Sequence, residues 1–400
     1  MSIRSQPALT RLSSVSLVAP DLSGGGVTRV YLLAQVLQQL NLDVKVVGFQ
    51  FGQSVYPVPP ATLPVEPILG SWYPQLFNSI PTLLRAIDGQ LVYAVKPKPT
   101  SFGIALLKKL IHRCPVLLDI DDWELSWLGG DQHRYRPHLK QLARDALKSN
   151  GALRNPEHKL YLEWMERLTR YANGITVDTQ FLQQRFGGTY LPNGKDTDLF
   201  DPSRYVADRS RSLYGLDNYR VLMFPGTARP HKGLEDVLIA LDQLNQTDLR
   251  LVIVGGRKPD DYEDRLINQW GRWIIKLPAQ PVEKMPEVVA AAHVIVVPQR
   301  QTPTAQAQLP LKLTDGMAMA KPILSTTVGD IPILLNGVGY LVDPNSPEQI
   351  ARQIQWIFSH WQEAEEHGRL ARIRCIDRYS VKTMASLLLP VIEQCQLSVS

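Results

Sequence analysis

Residues 14–40, SVSLVAPDLSGGGVTRVYLLAQVLQQL, decide the fold. Their first part, SVSLVAP (14–20), is the β-branched apolar run of a buried strand. Three glycines follow at 24–26, and then Val30, Leu33, Ala34, Leu37 and Leu40 recur at helical spacing. Strand, glycine turn and helix together open a parallel sheet covered by helices. The pattern repeats. DVKVVGF (43–49), QLVYAV (90–95), PVLLDI (115–120) and GITVDT (174–179) read as further strands, with helical patterns at 134–149 and 157–172. A second series starts at YRVLMFPG (219–226) and continues through 249–256, 273–277, 293–298, 322–326 and 339–343. Helical stretches at roughly 346–377 and 380–396 close the chain. The expected class is α/β, with two Rossmann-like, doubly wound parallel sheets. A length of 400 residues agrees, being too great for one ordinary core. PNGKDTDLFDPSR (192–204), rich in turn formers, is the expected linker. Residues 57–99 hold nine prolines, and the start of that stretch reads as a long loop rather than a strand–helix unit.

Composition removes several classes. An apolar fraction of 44% with 20% charged residues excludes a disordered chain. No run of eighteen apolar residues occurs, so no membrane span is expected, and MSIRSQPALTRLSS has no signal-peptide core. Cys114, Cys375 and Cys395 are too few and too scattered for a disulfide framework or a Cys-built zinc site. That usage fits a reducing cytoplasm. The eight histidines show no His-Glu-x-x-His or comparable zinc pattern.

Three segments carry chemistry. APDLSGGGVTRV (19–30) sets backbone N–H groups and glycines at a helix start, which suits phosphate, although a flexible turn has the same sequence. Arg29 occupies the third glycine position of the dinucleotide fingerprint, and no Gly-Lys-Ser/Thr follows. MFPGTARPHKGLEDVLIAL (223–241) holds Arg229 and Lys232 between Gly226 and Gly233 at a helix opening. Two cations there suit a diphosphate and its departing charge; the alternative is a solvated basic turn. QLPLKLTDGMAMAKPILSTTVGDIPILL (308–335) places Asp315 near a helix start. A carboxylate there accepts from a ribose diol, or satisfies the helix dipole. A fourth feature is acidic: in LLDIDDWEL (117–125), Asp119, Asp121 and Asp122 end an apolar strand. Acceptor binding, proton transfer, helix capping and a divalent metal all remain open for them. Trp123 and Trp127 flank the cluster, where they would stack on a sugar or pack in the core.

GGGVTRVYLLAQVLQQL, LPNGKDTDLFDP, GTARPHKGLEDVL and PLKLTDGMAMAKPIL, in this order, resemble a group 1 (family four) glycosyltransferase of the GT-B fold. The resemblance runs from about residue 14 to 390. It implies two Rossmann-like domains facing across a cleft: an acceptor-side domain (1–198), a nucleotide-sugar domain (199–377) and a terminal helix (378–400) crossing back. It implies a hexosyltransferase-type enzyme of glycan or glycolipid synthesis, retaining anomeric configuration, that takes a nucleotide-diphosphate sugar and uses no cofactor and no metal. Gly24, Gly25 and Gly26 match the loop near the donor phosphates, and Lys232 the phosphate-binding lysine. The usual arginine is Thr227 here, with Arg229 two residues on as its substitute. Asp315 matches the second acid of a glutamate pair, the ribose ligand; the first would fall at Ala307, between Gln306 and Gln308. Those glutamines would supply hydrogen bonds without charge. Asp121 stands where relatives often have a histidine, beside Asp122 and Trp123 on the acceptor side, and Trp273–Leu277 would meet the base. Closure about 192–204 would exclude water. Two alternatives are an impaired GT-B-like binding or scaffold protein, and a GT-B nucleotide-sugar epimerase.

Charge placement adds one expectation. Of 43 Lys+Arg and 38 Asp+Glu, residues 201–400 hold 22 of each, so the whole excess of +5 lies in the first half. Residues 132–170, with nine basic and four acidic residues, account for it. In RYRPHLKQLARDALKS (134–149), Leu139, Leu142, Ala143, Ala146 and Leu147 share a helical stripe. Either that stripe packs on the domain core with a solvated basic face, or the segment meets an anionic membrane surface or lipid-phosphate acceptor. A peripheral place at the inner membrane face would follow, and nucleic acid is not an expected partner.

Overall fold

The computed structural model describes residues 12–132, 135–256 and 260–397. β1 (Ser14–Ala19), β2 (Asp43–Gln50), β3 (Val65–Leu69), β4 (Leu91–Val95), β5 (Val116–Ile120), β6 (Gly174–Val177) and β7 (Thr189–Tyr190) form a sheet ordered β3-β2-β1-β4-β5-β6-β7. β8 (Arg220–Pro225), β9 (Leu249–Val254), β10 (Ile274–Leu277), β11 (Val294–Val297), β12 (Ile323–Thr326) and β13 (Tyr340–Val342) form a second, ordered β10-β9-β8-β11-β12-β13. All five pairings of the second sheet are parallel. Each sheet is wound outward from its first strand in both directions. The strand order therefore reverses beside β1 and β4 in one sheet, and beside β8 and β11 in the other. Open α/β sheets bind ligands at such switch points, outside the carboxyl ends of the strands.

The strands read as continuous apolar runs because both faces are covered. Along β8, Val221 and Met223 enter one core cluster while Leu222 and Phe224 enter the other. Each such fully buried side chain contributes roughly 1.5–3 kcal/mol of transfer free energy.

β3 was hidden in the proline-rich stretch. Residues 57–64 hold no strand or helix, but VEPIL (65–69) pairs in parallel with β2, and a helix, Leu76–Ala86, follows. Pro67 is compatible because β3 is an edge strand with no second neighbour awaiting its missing N–H.

By packing, the chain divides into a first unit of 1–119, 135–175 and 388–400, and a second of 120–134 and 176–387. These bounds depart from those read off the sequence. Residues 120–134 and 176–198, assigned there to the first domain, pack with the second unit. The 192–204 segment, the expected linker, is hydrogen-bonded within the second unit. Asn193 donates to Asp178 and to the Leu309 carbonyl at 3.1 and 2.7 Å, and Lys195 N–H to the Tyr379 carbonyl at 2.7 Å. Arg372 donates to the Phe200 carbonyl at 2.6 Å. All of these groups lie in the second unit. The terminal helix Val381–Leu397 is shared, Leu388 onward belonging to the first unit.

Candidate functional site

In the first unit, the switch point lies between the loop after β1 and the end of β4. Gly26 precedes the helix Val27–Gln39, and a Cβ placed on it would lie 3.4 Å from the Cε of Lys96, just past β4. Lys96 is buried, in a left-handed conformation (φ 68°), and its N–H donates to the Asp119 carbonyl at 2.8 Å. Gly25 and Gly26 are exposed, and a Cβ on Gly25 would meet nothing. Beneath the loop, the Arg29 guanidinium grips Asp119 through two hydrogen bonds, 2.9 and 2.8 Å, with both side chains fully buried. Asp119 thus leaves the acidic cluster: it neutralises Arg29 and ties the first helix to β5.

The second unit's switch point lies between the loop after β8 and the end of β11. Gly226 ends the strand, the turn Pro230–Lys232 follows, and the helix Leu234–Leu244 begins after Gly233. Gly233 has φ 68°, and a Cβ on it would sit 1.9 Å from the Pro298 carbonyl oxygen, so only glycine fits. This close approach brings Lys232 against the segment after β11. Its Nζ donates to the side-chain oxygens of Gln299 and Gln308, each at 3.0 Å.

A third cation joins Arg229 and Lys232. Lys312, in the first turn of the helix Leu311–Ala318, places its Cε and Nζ 3.0 and 3.3 Å from where a Gly226 Cβ would be. Its ammonium lies over the Phe224 ring, 4.6 Å from the centroid. Burial pushes the Lys312 ammonium down to about 8, with only Asp315 opposing. Burial, then Lys312 and Arg229, hold Lys232 well below the usual lysine range against the pull of Asp122. Burial and the same three cations push His231 down to about 3, so its ring is neutral near pH 7. Among the described residues, no hydrogen bond or ion pair holds the charged groups of Arg229 or Lys312. Three cations therefore converge, and the acceptors that hold Lys232 are neutral amide oxygens.

Besides Asp315, which acts on Lys312, a second carboxylate reaches this cluster. Gln308 Nε2 donates to Asp122 Oδ2 at 3.0 Å, so a single amide links Lys232 to Asp122. Trp127 Nε1 donates to the same oxygen at 2.9 Å, its ring set edge-on to His231 at 5.2 Å. Thr304 and Ser126 hydroxyls add a 3.0 Å bond. The excursion 120–134 is thereby fastened over the β8 and β11 ends of its own unit. Trp127 keeps an exposed face, whereas Trp123 is buried against Phe181 at 5.8 Å and under the Arg185 guanidinium at 4.3 Å. Packing, not an open stacking surface, is the lot of Trp123. Asp121 is half-buried at the strand end.

The remaining residues fall around this core. Asp315 is buried and ion-paired with Lys195, whose ammonium also lies over Phe200 at 4.1 Å. Ala307 is fully buried at the end of the short helix Pro303–Gln306, with Gln306 and Gln308 half-buried on either side. Thr227 is half-buried, its backbone N 2.9 Å from where a Cβ on Gly255 would be. Trp273 is buried, its indole donating to Asp242 at 2.6 Å. Structure thus joins Lys232, Gln308, Asp122 and Trp127, and adds Lys312 and Gln299 in the second unit; Gly24–Gly26 belong to the first. Among the described residues no three His, Cys, Asp or Glu side chains gather as a metal site, and no helix is long and apolar enough to cross a membrane.

Comparison with known proteins agrees with this layout. Residues 219–360, which contain the cation cluster, match the model for glycosyl transferases group 1. A GDP-mannose-dependent α-(1-6)-phosphatidylinositol monomannoside mannosyltransferase of Mycolicibacterium smegmatis is 24% identical over 243 residues, 56% of this chain. The match spans 63% of that relative's length. The D-rhamnosyltransferase WbpZ of Pseudomonas aeruginosa is 27% identical over 288 residues, 69% of this chain and 73% of that one. Among solved structures, Anabaena HepE in complex with UDP-glucose gives a TM-score of 0.72 at 18% identity, covering 95% of this chain and 99% of that one. WaaG, a glycosyltransferase involved in lipopolysaccharide biosynthesis, gives 0.66 at 15% identity, covering 94% and 99%. In fold the chain is GT-B, and in residues 219–360 it matches the glycosyl transferases of group 1.

Proposed function

We propose that the protein transfers a sugar, of hexosyl type, from a nucleotide-diphosphate sugar to an acceptor hydroxyl. The observation that carries this reading is the uncompensated charge at the second switch point. Lys232 and Lys312 are desolvated, and Lys312 and Arg229 both repel Lys232. A bound diphosphate reverses both penalties, and more so as charge grows on it when the glycosidic bond breaks. Arg229 and Lys232 act on that departing charge, while Lys312 anchors the ground state as well. Thr227 lines the loop, and Gly24, Gly25 and Gly26 offer backbone N–H groups suited to phosphate at the first unit's own switch point. Gln306 and Gln308 hydrogen-bond the sugar, and Gln308 also fixes Asp122. Asp121 is the candidate for proton transfer at the acceptor hydroxyl, with Asp122 beside it; Trp123 supports that strand end from behind. Asp315 reaches ribose on exchanging its bond to Lys195.

The relatives' names, a phosphatidylinositol-mannoside mannosyltransferase among them, support a glycan or lipid-linked acceptor. Retention of configuration is part of the proposal, as is action at the inner face of a membrane. The purified protein, incubated with UDP-, GDP- and dTDP-sugars, is expected to hydrolyse at least one slowly. Mass spectrometry reads the released sugar and nucleotide. Binding without turnover for every donor would favour the impaired alternative, for which Ala307 is the specific observation. Isomerised donor without release would favour the epimerase.

A further inference from the structure

The helix Leu139–Leu147 in the first unit is turned inside out. Leu139 and Leu147 are 86% and 78% exposed and Leu142 is 40% exposed, while Ala143 and Ala146 are exposed as well. The one buried side chain of the helix is Asp145, 3% exposed. Tyr135 donates to it at 2.8 Å, and Arg144 at 3.2 Å. Viewed down the axis, the five apolar residues occupy an arc of about 140°, and Asp145 lies about 130° from its centre. The polar side faces the protein and the apolar side faces away. This removes the reading in which the stripe packs on the domain core; Arg134, the first residue of the segment, lies outside the described residues.

Charge selects the occupant. Arg136, Lys140, Arg144 and Lys148 are all exposed; Lys140 borders the stripe, about 90° from its centre, Arg136 and Lys148 lie just beyond the two ends of the helix, and Asp145 is the sole acidic residue from 135 to 150. An apolar face bordered by cations complements acyl chains beneath anionic headgroups. A second protein surface would have to be both apolar and acidic at its rim.

We infer that the Leu139–Leu147 helix docks on an anionic phospholipid surface, its leucines in the headgroup–acyl boundary, Lys140 on the phosphates beside the stripe, and Arg136 and Lys148 adding charge at the two helix ends. This deepens the glycosyl-transfer reading by naming the surface on which a lipid-linked acceptor is met, and for that acceptor alone it rests on that reading. Flotation of the full chain with vesicles tests it, using phosphatidylcholine alone and phosphatidylcholine with about a third phosphatidylglycerol. Binding to the anionic vesicles is expected to be about tenfold or more the stronger, and to weaken with salt. L139Q/L147Q and K140E/K148E should each lose about tenfold of it. Both variants should keep wild-type circular dichroism and donor hydrolysis, since they touch neither core nor cation cluster. Equal binding to both vesicles, or binding to neither, overturns the inference while leaving donor hydrolysis to judge the enzyme reading. A dimer in solution that L139Q/L147Q dissociates, without vesicle binding, would assign the stripe to a second copy and also overturn it.

Discussion

The two sheets share a strand order and end in switch points of opposite electrostatic character. At the first, the buried Arg29 is fully neutralised by Asp119 under an open glycine loop. At the second, Arg229, Lys232 and Lys312 converge: Lys232 donates to neutral amide oxygens, Gln308 links it to Asp122, and Asp315 acts on Lys312. The same topology thus builds a structural charge pair in one place and an incomplete one in the other. A buried charge paired within the protein is costly to break, whereas perturbed and incompletely paired charges mark a candidate ligand site.

The comparison can be broken most severely at Asp119. Asp119→Ala removes the carboxylate that grips the buried Arg29 through two hydrogen bonds, which should cost about 3–5 kcal/mol of stability. Urea unfolding followed by tryptophan fluorescence reads the loss, and an unchanged midpoint would show that Arg29 is not held by that pair. At the second switch point the signature should be functional instead. Lys232→Ala should lower donor hydrolysis by about 10²–10³ with little change in unfolding midpoint.

Lys312→Met should weaken UDP or GDP binding by about tenfold, one charge-assisted hydrogen bond. Lys312 also gives the site a pH dependence of definite sign. Its ammonium is charged below about 8 and neutral above, so affinity should fall as pH rises through that value. The ligand-free protein behaves oppositely: with the folded value below the unfolded one, this group adds stability as pH rises from about 8 toward the free-lysine value. Lys312→Arg should abolish the affinity limb. Persistence of the limb in that variant would assign it elsewhere. The smallest effect is expected from Gln308→Leu, which severs the Lys232–Asp122 link and should cost up to about tenfold in turnover.

Much of this was legible beforehand because period and punctuation are local. The run 14–40 gave strand, loop and helix, and the segment 226–233 already held Arg229 and Lys232 between two glycines. Lys312 reads as an ordinary polar residue in PLKLTD, though its spacing of three from Asp315 puts both on one helix face. Gln299 and Lys96 lacked any motif; each matters because a strand neighbouring in space, not in sequence, ends beside a glycine loop. Arg29 and Asp119 are ninety residues apart, and nothing local pairs them. The placement of 120–134 likewise depends on Trp123 and Trp127 finding partners at 181, 185 and 231. β3 was obscured for the opposite reason: a local signal, Pro67, argued against a strand that the sheet edge permits.

The central claim is that the second switch point is a diphosphate site completed by its ligand. Calorimetric titration of the wild type and Lys232→Ala with UDP, GDP and inorganic pyrophosphate at pH 7 tests it most directly. The account predicts pyrophosphate competing with a nucleoside diphosphate for one site, and affinity at least about tenfold lower in the variant. Equal affinities in the two proteins, or nucleotide binding indifferent to pyrophosphate, would contradict it.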